Sequence, residues 1–509
     1  MSYETFIGLE IHIHLLTKTK VFCSCPAAFG DEPNTNVCPV CMGYPGVLPS
    51  LNDEAMHMSA LVAKALDCRI SPETWFERKQ YFYPDMAKNY QISQFASPIG
   101  VEGTVELLMA DGTERTIRIK ECHLEEDAGK MIHAGGVSLI DYNRAGTSLL
   151  EIVTEPDLKS GAEAEAFIQL LRRTVRYLGV CDGNMEEGSL RCDANISINT
   201  PGAGLGSKVE LKNLNSSRFV RLGLDYEAAR QAMVLDSGGR VVQETRLWNE
   251  NRDQTETMRR KESAHDYRYF PEPDLPIFRP DAAFLERVEK ALVELPAARE
   301  ARFRSDFGLG FDRAAVLCEE KELADWFEAA LRATTARGLP LDIAADRIAT
   351  WVVMDIKRII NREGLSAQEL PGLALSPERL AAVVAMLHKA EISGKTAKEL
   401  LDLVLAEDRD PEELVATRDL GQIRDPARIE AAIAAVFARE EKSLLQYAAA
   451  RDTGDEKALG KLEKFFTGKV LQETGGRADP AIAGSLLKAA LKAVGSAHTA
   501  GATSPSQGA

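Results

Sequence analysis

Ile7-Gly8-Leu9-Glu10-Ile11-His12-Ile13-His14 is the stretch on which the reading of this chain turns. As a β-strand it alternates strictly. Ile7, Leu9, Ile11 and Ile13 fall on one face, and Glu10, His12 and His14 fall on the other. The first set supplies the branched apolar bulk of a core. The second puts one carboxylate and two imidazoles on successive same-face positions, a set able to hold a divalent cation or to move protons. A surface strand with a wet polar face would show the same alternation, so the choice rests on what other segments bring.

Several segments bring acidic faces. In Leu190–Ile198 the apolar Leu190, Cys192, Ala194, Ile196 and Ile198 alternate with Arg191, Asp193, Asn195 and Ser197. In Lys208–Lys212, Val209 and Leu211 alternate with Lys208, Glu210 and Lys212. The run Ile117–Asp127 begins apolar at Ile117 and Ile119 and continues in phase as Glu121, His123, Glu125 and Asp127, as a strand leaving a core for a polar site would. Glu151 stands between Leu150 and Ile152. Carboxylates crowded on one face repel unless a cation or a basic group neutralises them. Hard oxygen ligands with an imidazole suit Mg²⁺, commonly together with phosphates. Independent solvated strand faces are the plainer alternative.

Composition narrows the function classes. The 509 residues carry 61 Lys and Arg against 77 Asp and Glu, a net charge of −16. That balance argues against a whole-surface nucleic-acid coat and leaves room for a local basic face. No apolar run approaches the ~20 residues of a membrane span. Met1-Ser2-Tyr3-Glu4-Thr5 lacks the basic start of a signal peptide, so a cytoplasmic protein is expected. Nine cysteines, an odd number, fit reduced thiols. Four of them form Cys23-x-Cys25 and Cys38-x-x-Cys41, two close pairs that suit a tetrahedral thiolate site for Zn²⁺. Such a site is structural, because four thiolates leave no open position; four free thiols in a loop is the alternative. Pro201-Gly202-Ala203-Gly204-Leu205-Gly206-Ser207-Lys208 has the wrong order for a phosphate loop and lies between two strands, so a flexible hairpin connection is expected. The segments Phe76–Tyr90 and His265–Phe270 interleave aromatic and cationic residues. Such loops line substrate or nucleic-acid surfaces, or simply anchor themselves with rings.

Residues 1–293 read as β-rich, with helices at Asp53–Leu66, Gly161–Leu178 and Ser217–Leu235 and a strand at Val241–Trp248. Pro271, Pro273, Pro276 and Pro280 close this region. From residue 294 the texture is Ala-, Leu- and Glu-rich with helical periodicity, including a long helix at Asp346–Glu363. A helical linking domain over 294–400, a helical tail domain over 401–495 and a disordered tail over 496–509 are expected. The fold class is therefore α+β. In the tail domain Lys461, Lys464, Lys469, Arg477, Lys488 and Lys492 outnumber Glu463, Glu473 and Asp479, an excess able to face phosphates or simply solvent.

Read together, these motifs resemble one family. They are Phe6-Ile7-Gly8-Leu9-Glu10-Ile11-His12, Tyr44-Pro45-Gly46-Val47-Leu48-Pro49, Lys79-Gln80-Tyr81-Phe82-Tyr83-Pro84-Asp85 and Leu124-Glu125-Glu126-Asp127-Ala128-Gly129-Lys130. Met185–Asn195, Glu210–Ser216 and Asp266–Asp274 continue the match, and Phe465-Phe466-Thr467-Gly468-Lys469-Val470 extends it into the tail. The chain resembles the B subunits of aspartyl/glutamyl-tRNA amidotransferases, the GatB family. The resemblance implies a cradle domain, a helical domain and a C-terminal helical YqeY-like tRNA-binding domain. It implies a heterotrimer with an amidase (GatA) partner, which frees ammonia from glutamine, and a small third (GatC) partner. The GatB chain would bind Glu-tRNA(Gln) or Asp-tRNA(Asn), phosphorylate the side-chain carboxylate with ATP and Mg²⁺, and let channelled ammonia displace phosphate. By motif position, Glu10, His12, Glu125 and Glu151 would hold Mg²⁺. Asp193, Asn195 and Glu210 would complete the nucleotide cradle, and Glu125, Lys79 and Lys88 would serve the chemistry. His14 would only flank the site. The four cysteines occur in part of the family, which makes any zinc structural.

Overall fold

β1 (Glu4–His14) forms as its alternation demands: Ile7, Leu9, Ile11 and Ile13 are at most 1% exposed, and Glu10, His12 and His14 are half-buried. The computed structural model describes residues 2–109, 111–259 and 267–497. Two units divide at Arg299 and Glu300.

The first unit carries the sheet. β2 (Arg69–Ile70), β3 (Glu77–Gln80), β4 (Tyr90–Ser93), β5 (Gly100–Leu108) and β6 (Glu114–Glu126) follow β1 in the chain. β7 (Lys130–Ala134) and β8 (Val137–Asp141) make a separate two-stranded hairpin, and β9 (Ser148–Thr154) returns to the main sheet. β10 (Leu190–Asn199), β11 (Val209–Lys212), β12 (Glu244–Asn249), β13 (Gln254–Arg259) and β14 (Phe270–Pro271) complete it. Across the sheet the order is β13-β12-β11-β10-β1-β9-β6-β4-β3-β14, with β5 and β2 branching from β6. β1 is thus an interior strand, antiparallel to both β9 and β10.

The apolar sheet face is covered by helices. α1 (Asp53–Ala65), α2 (Gly161–Tyr177) and α3 (Ser217–Asp236) start at Asn52, Ser160 and Ser216, whose side chains each accept hydrogen bonds from first-turn amides. All three begin where the sequence predicts. α2 buries Phe167, Ile168, Leu171 and Val175 and packs on α3, which lies on β10. α4 (Ala282–Ala291) packs on α1. One continuous apolar cluster joins these helices to Ile117, Leu124, Ile152, Leu190, Ile196 and the β1 isoleucines.

Strand β6 departs from the expected phase. Ile117 and Ile119 are core residues, but so are Cys122 and Leu124, which have the opposite parity. The pairing with β9 slips between Ile119 and Glu121, a β-bulge at Lys120. The expected single face running from Ile119 into Glu121 is therefore corrected: the extra residue moves Glu121, His123 and Glu125 to the face opposite Ile117 and Ile119. The Gly-rich connection 200–208 joins the antiparallel β10 and β11, with Gly202 and Gly204 at positive φ and no helix behind it, as expected.

The second unit is helical. Two apolar clusters stand in it, one built on Phe303, Trp326, Phe327, Ile348, Val383, Leu400 and Leu414, the other on Ile423, Ile433, Tyr447, Phe466 and Leu491. The expected long helix at Asp346–Glu363 is Leu341–Trp351, a π-helical turn Val352–Ile356, and Lys357–Glu363. It starts earlier because Pro340 sits at its N-cap, where a missing N–H costs nothing. The final helix, Pro480–Ala497, runs two residues into the expected disordered tail; residues 498–509 lie outside the described residues, as do His265 and Asp266. No helix among the described residues is long and apolar enough to cross a membrane.

Candidate functional site

Register assembles the site. His12 of β1 and His123 of β6 both pair with Glu151 of β9, Glu10 pairs with Asp193, and Asn195 pairs with Glu210. Directly paired residues share a sheet face. The five neighbouring strands β11, β10, β1, β9 and β6 therefore line up their polar residues on the face away from the core.

The first group centres on Glu151. His12 Nε2 and His123 Nε2 each lie 3.2 Å from Glu151 Oε2, and Glu125 is 4.0 Å from His12 and 3.9 Å from His123. One ligand atom each from His12, Glu125 and Glu151 fall within 4.8 Å of one another, a spacing that suits a cation. Burial opposes charge on both imidazoles, but the hydrogen bond and charge of Glu151, with Glu125 beside it, outweigh that. His12 is held above the ordinary imidazole range and His123 rises to about 9. Burial likewise opposes the Glu151 carboxylate, and the two imidazoles keep it ionised well below the usual range. The charges of Glu151 and Glu125 thus favour the protonated form of both imidazoles.

A second group lies beside it. Asn195 Nδ2 donates to Glu10 Oε1 at 2.8 Å. Lys212 Nζ donates to Asp193 and sits 3.6 Å from Glu210 Oε1, while Thr245 Oγ1 donates to Glu210 at 2.8 Å. Burial works against the Lys212 ammonium, yet Asp193 and then Glu210 and Glu10 raise its pKa. The side-chain carbonyl oxygen of Asn195 is buried with no hydrogen-bond partner among the described residues, a hard donor left open next to three carboxylates. Oxygen donors, one imidazole and an orphan carbonyl fit Mg²⁺ with a phosphate chain.

His14 belongs to a third group. Its Nε2 lies 2.7 Å from Asp127 Oδ2, which also accepts from Arg191 at 2.8 Å, with Arg144 at 3.4 Å. Burial opposes the Asp127 charge, but Arg191, His14 and Arg144 hold its carboxyl far below the usual range. The Lys88 side chain is only 7% exposed, its Nζ lies 2.6 Å from Glu126 Oε2, and Glu126 also accepts from the Ile92 amide at 2.9 Å. Lys79, on β3, holds its ammonium 5.1 Å over the Tyr267 ring. The expected residues thus divide: His12, Glu125 and Glu151 meet, Glu10 joins Asp193, Asn195 and Glu210, and Lys88 stands in a buried ion pair. His123, Lys212 and Asp127 went unassigned by sequence reasoning. The alternation Glu121-His123-Glu125-Asp127 carried the signal for His123 and Asp127, and Lys208-Glu210-Lys212 that for Lys212, but neither showed which partners they meet.

The four thiols converge. Cys23, Cys25, Cys38 and Cys41 offer sulfurs that all lie within 4.8 Å of one another, a donor set and spacing that fit zinc. The Cys23 thiol, the Cys38 amide and Lys20 favour a Cys41 thiolate, lowering its pKa to about 4 against the opposing effect of burial. Lys20 is fully buried, with Nζ 3.8 Å from Cys41 Sγ and 3.2 Å from the Tyr142 carbonyl. The knuckle turns tightly against the site: Gly43 has φ +68°, and a Cβ there would meet Lys88 Cγ at 2.7 Å.

A mixed sheet gathers carboxylates and imidazoles on one face, and helical cores follow it in the chain. The model of the GatB/GatE catalytic domain matches residues 5–286, and that of the GatB domain matches residues 325–491. Proteins named as the B subunit of aspartyl/glutamyl-tRNA(Asn/Gln) amidotransferase are similar over nearly the whole chain. That of Thermosynechococcus vestitus is 46% identical over 499 residues, covering 96% of each chain. That of Moorella thermoacetica is 45% identical over 496 residues, covering 96% of this chain and all of its own, and that of Crocosphaera subtropica is 44% identical over 503 residues, covering 96% and 98%. The chain belongs to the GatB family.

Proposed function

We propose that this chain is the GatB component of a glutamine-dependent tRNA amidotransferase, working in the cytoplasm as a heterotrimer with an amidase (GatA) partner and a small GatC partner. It binds Glu-tRNA(Gln), Asp-tRNA(Asn) or both. The observation that carries this reading is the meeting of His12, Glu125 and Glu151 beside Glu10, Asp193, Asn195 and Glu210, in a chain similar along its length to named B subunits.

A carboxylate acylates poorly and its phosphate anhydride acylates well. In the proposed reaction an oxygen of the aminoacyl side-chain carboxylate attacks the γ-phosphorus of ATP, and ADP leaves. Ammonia then attacks the activated carbonyl carbon, phosphate departs with the C–O bond, and the amide remains after one proton is lost. Bound Mg²⁺ would neutralise and align the phosphates. His12, Glu125 and Glu151 form the part of the face that would hold one cation, and Glu10, Asp193, Asn195 and Glu210 the part that would hold nucleotide with another. Glu125, nine-tenths or more buried and beside two imidazoles, is the base placed to take the proton from the attacking ammonia. Lys79 supplies positive charge near the transferring phosphoryl group. Lys88 holds Glu126, the neighbour of Glu125, and so positions that strand end. Closing the group to water matters to the reaction, because water would hydrolyse the anhydride. The cysteine cluster would hold zinc as a brace. The second apolar cluster of the helical unit marks the tail domain that would dock tRNA by shape and phosphates.

Glu125→Gln and His12→Ala, each in the assembled trimer, should abolish phosphate release that depends on both ATP and Glu-tRNA while the glutaminase activity of the GatA partner persists. Phosphate release surviving both substitutions would overturn the assignment.

A further inference from the structure

The sheet order places a second surface next to the carboxylates. Beyond β6 come β4, β3 and β14, and these strands and their flanking loops carry rings and cations where the preceding five carry acids. Ser93 pairs with Glu125 and with Glu77, and Gln91 pairs with Lys79, so Lys79 shares the face of Glu125. Pro271 pairs with Glu77, which brings the segment before β14 alongside. There Tyr269 stacks on Phe95 with ring centroids 4.0 Å apart and planes 11° apart, and Tyr267 meets Tyr269 edge-on at 6.1 Å.

Two features point outward from this stack. Phe95 is 50% exposed, although a phenyl ring gains by burial, so the stack ends on an aromatic ring open to solvent. At its other end Tyr269 immediately precedes β14, which pairs with β3, and β3 pairs with β4, whose Ser93 pairs with Glu125. Cations flank the rings. Lys79 Nζ lies 5.1 Å over Tyr267, and the Arg268 guanidinium lies 5.6 Å over the exposed ring of Phe82. An open aromatic ring with cations beside it and a cation-binding floor behind it complements a ligand that is a flat base at one end and anionic at the other.

We propose that the Phe95–Tyr269 stack is a nucleobase platform, with Phe95 extending the stack by one adenine ring while the rest of the ligand runs toward Glu125. The inference rests on the reading of the site as a phosphoryl-transfer centre. Adenine reaches this surface from one of two sources, ATP or the 3′-terminal adenosine that carries the aminoacyl group.

The test uses the assembled trimer with Phe95→Leu, which keeps apolar bulk and loses stacking, and Phe95→Trp, which keeps stacking and adds a fluorophore. Wild type without any ATP- and Glu-tRNA-dependent phosphate release would sink the functional reading, and the fluorescence arm would still decide the platform. If wild type is active, Phe95→Leu should raise KM for one ligand about tenfold, the scale of one lost base–aromatic stack, and Phe95→Trp should restore it. A rise confined to ATP identifies the nucleotide, and a rise confined to tRNA identifies the acceptor end. In parallel, Phe95→Trp emission should be quenched by ATP or by a CCA trinucleotide, and not by inorganic triphosphate. Unchanged KM for both ligands in Phe95→Leu, or quenching by triphosphate alone, would overturn the platform.

Discussion

Glu151→Gln tests the electrostatics of the site at its hub. Glu151 accepts from both His12 and His123 at 3.2 Å, and the amide cannot compensate two imidazolium charges. The rise of His123 from the free imidazole value of 6.5 to about 9 corresponds to about 3 kcal/mol of preference for the protonated form in the folded chain. The sign follows from a raised folded pKa: this stabilisation is complete below pH 6.5 and is lost as pH rises through 9. In EDTA, Glu151→Gln should therefore destabilise the protein by on the order of 3 kcal/mol at about pH 6 and by far less at about pH 10, where wild-type His123 is neutral. Urea unfolding at the two pH values reads the difference, and an NMR titration of ¹³C-histidine-labelled protein should show one imidazole moving from near 9 down to or below 6.5. An equal loss of stability at both pH values, or an imidazole pKa that stays near 9, would refute the reasoning.

Other perturbations follow from named contacts. Glu126→Gln strands the buried Lys88 ammonium and should cost about 3–5 kcal/mol in urea unfolding, whereas the double change with Lys88→Met should recover most of it; equal losses in the single and double variants would contradict the pair. Metal analysis of protein purified under reducing conditions should find one zinc per chain, and Cys41→Ser should abolish it and lower the melting temperature; zinc-free wild type would dispose of the cysteine site. His12→Ala should weaken Mn²⁺ binding, followed by electron paramagnetic resonance, by about tenfold or more, as expected for losing one metal ligand; unchanged binding would remove His12 from the ligand set. Deleting residues 421–509, a cut placed after Leu414 because that side chain is fully buried in the preceding cluster, should raise KM for tRNA more than it lowers kcat. The opposite pattern would argue against a tRNA-docking tail.

The polar faces of β1 and β10 were legible because a strand buried on one side must alternate, and both stretches do so without interruption. The acidic face of β6 was legible in composition but not in phase. A period of two cannot announce the extra residue at Lys120, which is a property of pairing with β9 rather than of β6 alone. The same limit explains the partition of the site. Glu10 and His12 are two residues apart in sequence, and each pairs with both neighbouring strands, but the acid opposite differs: Glu10 stands between Asp193 and Val153 and accepts from Asn195, whereas His12 stands between Arg191 and Glu151. Asp127 takes His14 and Arg191 from 113 and 64 residues away along the chain, so no window around it contained either partner. β3 and β4 were hidden because four-residue strands rich in Arg, Lys, Gln and Tyr lack the apolar alternation that a longer half-buried strand displays.

The interior position of β1 bears on synthesis. Ribosomes make it well before its neighbours in the sheet, Leu149–Val153 and Leu190–Asn199. At the usual ~5–20 residues per second, its second edge waits roughly 10–40 s for a partner. During that interval an apolar strand with unpaired backbone edges is a target for wrong pairing and for chaperones. A truncated product ending before β10 carries His12, Glu125 and Glu151 but lacks Asp193, Asn195 and Glu210. In a ribosome-arrest series, protection of β1 from proteolysis should therefore appear only once β10 has cleared the exit tunnel.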